Sequence, residues 1–247
     1  MNNPCELQAV LVGSDPAVVD SIVACLEELG IAGAVYAQAA SALETFARQK
    51  VDAFFVDGDL DPELSVLKGM RSSPSSRGAV GFAIVPRQKS VSEASRVADF
   101  VMDKPLAALS VNRAVRAAYG IMLKERKRYF RHCLRVPVDV TDATYRKFIG
   151  HTINLSQTGM AMECAAPLAA GETVQLGFQL PDCDEKLSCK AQIIWTAEQA
   201  KVGVTFTHMK PSDKQRLTGW IESEFHRLWD MPTAKAPAVA SAAARRQ

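Results

Sequence analysis

Two periods of apolar and polar residues run along the chain, and they meet near its middle. In the first half, short and mostly apolar runs alternate with longer amphipathic stretches: "AVLVG" (9–13), "AVYA" (34–37), "AFFVD" (53–57), "AVGFAIV" (79–85) and "DFVMDK" (99–104). Strands that are apolar on both faces and separated by helical patterns predict a doubly wound parallel sheet, because crossover helices must cover both of its sides. After Pro137 the period falls to two. "VPVDV", "FIGHTINL", "GMAMEC", "TVQLGFQL", "LSCKAQIIW" and "KVGVTF" alternate apolar with polar positions between Gly, Pro, Asp and Ser turns. Six short antiparallel strands in a span of about 75 residues favour a closed barrel. On this pattern Trp195, in the fifth of them, belongs to the core.

Helical periods lie at the junction and near the end. From Leu106 to about Phe130 there is no proline, and Val111, Val115, Ala118 and Met122 form one stripe, so a single helix is expected to join the modules and pack on its own sheet. The basic run Lys124 to Arg128 reads as that helix's solvated face. Near the other end Leu217, Ile221, Phe225 and Leu228 share a face of a closing helix that Ser212 is expected to cap. The expected organisation is a first domain at 1–120, a helical linker at 121–130, a barrel domain at 131–230 and a disordered Ala- and Pro-rich tail at 231–247.

Composition narrows the class. With 247 residues, 48% hydrophobic and 23% charged, the chain suits two soluble globular modules and excludes extended disorder. No apolar run is long enough to span a bilayer, and the amino terminus lacks a basic segment followed by an apolar one, so a cytoplasmic protein without membrane insertion is expected. Net charge is +2 but uneven: residues 1–120 hold 11 Lys/Arg against 14 Asp/Glu, and residues 121–247 hold 18 against 13. Much of the excess sits in "KERKRYFRHCLR" (124–135), a natural place for an anionic ligand. Stacking aromatics are sparse there, so nucleic acid is not expected as a partner.

The six cysteines form no CxxC pair and are expected to be reduced, buried thiols. The four histidines are scattered without a nucleophile and acid in order. No catalytic constellation, metal site or cofactor loop emerges, and a non-enzyme is expected.

Ligands of a parallel sheet sit beyond the carboxyl ends of its strands, which points to Gly13, Ser14, Asp15, Asp57, Val85, Pro86 and Lys104. With "VDAFFVDGDL" placing Asp57 and "DKP" supplying Lys104, this half resembles a response-regulator receiver domain. The resemblance implies a phosphoacceptor at Asp57. Departures from the pattern imply that it is degenerate: the acidic pair that holds a divalent metal reads Gly13 and Ser14, with Asp15 the only acid beside them, and the hydroxyl residue after the fourth strand is replaced by Val85 and Pro86. Asp57 and Lys104 are then expected to survive as a structural ion pair, in a pseudo-receiver used for docking or for homodimer formation.

In the second half Arg-x-x-x-Arg ("RHCLR"), "VPV" and Asn-x-Ser-x-x-Gly ("NLSQTG") follow in order. This combination resembles the PilZ domain of bacterial signalling proteins, over roughly residues 125–230. The resemblance implies binding of cyclic di-GMP, with Arg131 and Arg135 on guanine and phosphate, Asn154 accepting from the guanine edge, Ser156 offering its hydroxyl and Gly159 allowing close approach. Guanidinium suits this work because it bonds phosphate, forks onto guanine O6 and N7, and stacks. Two apart on an extended strand, Asn154 and Ser156 are expected to share a face. The expected function is a receptor whose basic arm, mobile when empty, is ordered by the ligand and changes the orientation of the domains, signalling to an unidentified protein partner. The alternatives are an adaptor working through protein contacts alone and a phosphorylatable response regulator with a PilZ output.

Overall fold

The computed structural model describes residues 5–48, 50–73, 76–86 and 91–229. The segment at 231–247, expected to be disordered, lies outside the described residues. Two compact units meet in sequence between Lys127 and Arg128.

In chain order the first unit contains β1 (Gln8–Val12), α1 (Pro16–Glu28), β2 (Ala32–Tyr36), α2 (Ala39–Arg48), β3 (Ala53–Asp57), α3 (Ser65–Ser72), β4 (Val80–Pro86), α4 (Val91–Ala94) and β5 (Phe100–Lys104). The strands form a parallel sheet in the order β2-β1-β3-β4-β5. This is the flavodoxin-like doubly wound order. Every residue of β3 is buried, as a central strand covered on both faces requires. Phe55 stacks on Phe82 at 4.3 Å and Phe82 on Phe100 at 5.1 Å, a ladder across neighbouring strands. Burying each such ring contributes about 1.5–3 kcal/mol.

Helix α1 starts where Asp15 accepts from the Ala17 amide at 3.0 Å and Pro16 supplies a preset first turn. The long helix α5 (Ala108–Tyr129) buries Val111, Val115, Ala118 and Met122, and the stripe then continues to Arg126. The reading of Lys124 to Arg128 as wholly solvated is therefore corrected. Arg126 forms a buried ion pair with Asp52, its Nε donating at 3.0 Å to Oδ2, which also accepts from the Gln8 amide at 2.8 Å. Burial pushes the Asp52 carboxyl up, and Arg126 opposes that shift.

The second unit holds β6 (Pro137–Thr141), β7 (Lys147–Leu155), β8 (Gly159–Glu163), β9 (Thr173–Gln179), β10 (Lys186–Ala197), β11 (Lys201–Met209) and α6 (Pro211–Trp229). Its six strands close into a barrel in the order β10-β11-β8-β7-β6-β9, and β9 pairs back onto β10. Val138, Val140, Leu176, Phe178, Leu187, Ala191 and Ile193 fill the interior, and α6 buries Leu217, Ile221 and Phe225. Ser212 does not cap α6. The helix begins one residue earlier at Pro211, whose missing N–H would be an orphan in the first turn anyway. Asp213, inside that turn, fastens the helix to β10 by accepting from the Ser188 amide at 3.2 Å.

Candidate functional site

The two units present different sites. At the carboxyl end of the parallel sheet, Asp57 is buried and Lys104 reaches it across from β5. The Lys104 ammonium lies 2.8 Å from Asp57 and 2.8 Å from Asp59. Burial pulls that ammonium down, but the two carboxylates more than offset it, and its pKa stands above the usual lysine value. Asp15 is committed to the start of α1. Every charge around Asp57 thus has an internal partner, and Asp59 is the one that the sequence reading missed.

In the second unit, the segment leading into the barrel runs alongside β7. His132 and Leu155 form an isolated antiparallel bridge, with bonds of 2.8 and 2.9 Å, and Thr152 accepts from the Val136 amide at 2.9 Å while its hydroxyl donates to the Leu134 carbonyl at 2.7 Å. On such an extended arm, side chains alternate. Phe130 and His132 turn inward, Phe130 edge-on to Phe225 at 5.2 Å and His132 edge-on to Trp220 at 5.3 Å, with His132 Nε2 3.4 Å from Glu224. Burial pulls the His132 imidazole below its usual pKa, and Glu224 only partly opposes it. Arg131, Cys133 and Arg135 face outward and are exposed. That alternation corrects the expectation for the cysteines: all are free, but Cys133 is exposed.

Arg131 borders a cavity of about 480 Å³ whose lining includes Asn154, Thr158, Gly159, Ala161, Trp195 and Gly203. This volume falls within the usual range for a small-molecule site. Arg131 has no hydrogen bond or ion pair among the described residues. The side-chain oxygen of Asn154 is buried and likewise has no hydrogen-bond partner. An acceptor left this way costs about 1–3 kcal/mol, so Asn154 is a residue of the cavity lining whose demand for a donor the protein itself does not meet.

The "NLSQTG" residues divide into two sets. β7 ends at Leu155, so Ser156 lies beyond the strand, and of the two residues only Asn154 lines the cavity. Ser156 is buried, its amide and hydroxyl both donating to the Gly159 carbonyl at 2.9 and 3.0 Å. Gly159 is needed where β8 meets β11: a Cβ there would stand 2.1 Å from the Val204 carbonyl oxygen. Ser156 and Gly159 shape the corner, and Asn154 is the member whose polar group is left unmet. Arg135, for its part, is bonded to Glu163 at 2.9 Å and is not part of the cavity wall.

Trp195 is not core. It is 43% exposed and its ring lies over Gly203, where a Cβ would meet the indole at 2.1 Å. The cause is a bulge: Ile193 pairs with Val204 but Trp195 with Gly203, so the register slips at Ile194 and the indole turns to the outer face. An exposed ring beside Arg131 and Asn154 is a surface on which a base can stack.

The family model for the PilZ domain matches residues 125–223. This part of the chain is a PilZ domain. The family match supports a cyclic di-GMP receptor or effector role at the level of the domain. Among solved structures, the PilZ domain of CeSA from a cellulose-synthesizing bacterium is 21% identical, with 38% of this chain and 97% of that one covered and a TM-score of 0.33. The receiver domain of a sensor histidine kinase from Pseudomonas aeruginosa PAO1, with magnesium in its active-site cleft, is 21% identical over 47% of this chain and 98% of its own, TM-score 0.42. A response-regulator receiver domain from Methylobacillus flagellatus is 24% identical over 45% and 98%, TM-score 0.40. The chain is a doubly wound parallel sheet followed by a barrel within the residues that the PilZ model matches. No curated protein matches it. Among the described residues, no helix is long and apolar enough to cross a membrane.

Proposed function

We propose that this protein is a non-enzymatic receptor for cyclic di-GMP, which it holds in the cavity between Arg131, Asn154 and Trp195. The observation that carries this reading is the conjunction of an unpaired guanidinium, a buried side-chain oxygen without a donor and an exposed indole around one opening. Each answers one feature of the ligand. The guanidinium takes a phosphate or the O6 and N7 edge of guanine. The Asn154 oxygen accepts from the guanine N1 and N2 donors, and the indole covers a purine face.

Ser156 and Gly159 serve this site by holding the corner in shape. Arg135 joins it when its guanidinium leaves Glu163 for a ligand phosphate. Because the backbone of the arm is bridged to Leu155, the ordering on binding is chiefly that of the Arg131 and Arg135 side chains. The arm follows directly on α5, so capture of the ligand alters the orientation of the two units and passes the signal to a protein partner, with the receiver-like unit as the docking or homodimer surface.

Calorimetric titration of the intact chain with cyclic di-GMP tests the reading. Saturable binding is expected. Arg131→Ala should weaken it about 10-fold to 100-fold, the loss of one guanine or phosphate contact of about 1–3 kcal/mol. No saturable heat with the wild-type chain would leave the adaptor reading in its place.

A further inference from the structure

Arg131 and Arg135 belong to one motif but are in different states. Arg131 is unpaired at the cavity, whereas Arg135 Nη1 donates to Glu163 Oε2 at 2.9 Å. Glu163 is the last residue of β8 and stands two residues beyond Ala161, which lines the cavity, so Gly159, Ala161 and Glu163 share a strand face. Two residues of strand span about 7 Å, which places the carboxylate at the rim of the opening. His151 on β7 and Lys201 on β11 are its in-register neighbours. The Arg135 hydrogen bond and charge hold the Glu163 carboxyl below its usual range, with smaller contributions from Lys201 and His151. Glu163 therefore stays ionised across the physiological range.

We propose that Glu163 is a selectivity residue: an internal anion that competes with ligand phosphate for Arg135 and sets the charge of nucleotide that the cavity accepts. This inference rests on the receptor reading above. A ligand with two diester phosphates draws Arg135 away and leaves Glu163 to Lys201 and His151. A linear dinucleotide replaces one diester, of charge −1, with a terminal phosphate of about −1.5 to −2, and so brings about 0.5 to 1 more negative charge to the same rim, where the carboxylate repels it. The acid thus weakens binding of every anion, and most strongly of those carrying more charge.

The test is titration of the intact chain with cyclic di-GMP and with the linear dinucleotide 5′-pGpG, comparing wild type, Glu163→Gln, Arg135→Ala and the double variant. Glu163→Gln should bind cyclic di-GMP about 2-fold to 5-fold more tightly, as expected for removing a competing exposed ion pair. Its gain for pGpG should be larger, on the order of 10-fold, so that the preference for the cyclic ligand narrows. In the Arg135→Ala background, the gain for the cyclic ligand should shrink, because the competition for Arg135 is gone and only the repulsion by the carboxylate remains. Weaker binding by Glu163→Gln would make Glu163 a support for Arg135 and overturn the proposal, as would an unchanged ratio between the two ligands. Saturable binding with either of those results leaves the receptor reading standing; absence of saturable binding by all four proteins removes both.

Discussion

The Asp57 site and the Arg131 site are both formed where a strand end meets a loop, and both bear residues of a known motif, yet they differ in how their charges are met. Around Asp57, Lys104 is shared with Asp59, and Asp15 is bound up in the start of α1. Around the cavity of the barrel, a guanidinium and an amide oxygen stand without internal partners beside a half-exposed indole. A motif survives in sequence whether or not its groups remain available. Internal satisfaction distinguishes the two cases, because a group already paired must give up that partner before it takes a ligand.

The largest expected effect concerns stability in the first unit. If charges there are structural, Arg126→Met, which leaves buried Asp52 without its guanidinium partner, should lower unfolding free energy by about 3–5 kcal/mol in urea denaturation. A change under 1 kcal/mol on that order-of-magnitude scale would mean the pair is not structural. In the second unit the dissociation should run the other way. Trp195→Ala should reduce cyclic di-GMP affinity by about 1–3 kcal/mol, the usual value of a base stacked on an aromatic ring, while the thermal midpoint stays near that of wild type.

A smaller effect is expected from the arm. The folded pKa of His132 lies below the unfolded value, so the unfolded chain takes the proton first. Its contribution is full above the ordinary imidazole value of 6.5 and is lost as pH falls through the lowered one. Wild type should therefore lose more stability than His132→Gln as the solution is acidified below about pH 6.5. Parallel curves would show that burial of His132 has no such consequence. No change at all is expected at Asp57: after incubation with acetyl phosphate and magnesium, intact mass should show no added phosphoryl group. An adduct that disappears in Asp57→Asn would show that the Lys104 pairing opens and would restore the phosphorylated-regulator reading.

Period alone disclosed both architectures, since the switch from helix-separated apolar runs to alternation after Pro137 matches the parallel sheet and the barrel. The motifs singled out Arg131 and Asn154, which the fold brings to one cavity. What escaped depended on single-residue events. A bulge at Ile194 reverses the parity that had assigned Trp195 to the core. The end of β7 at Leu155 leaves Ser156 beyond the strand and outside the cavity lining. Arg126 lies within a charged run, though it sits four residues after Met122 and so continues the buried stripe, a signal that the sequence did carry.

The most direct test of the central claim is an intermolecular NOE experiment on the isotope-labelled protein saturated with cyclic di-GMP. Guanine H8 should give cross-peaks to the Trp195 indole protons, and these should vanish in Gly203→Ala, whose added methyl collides with the ring. A saturated complex in which the guanine protons contact neither Trp195 nor Arg131 would contradict the assignment of ligand to this cavity.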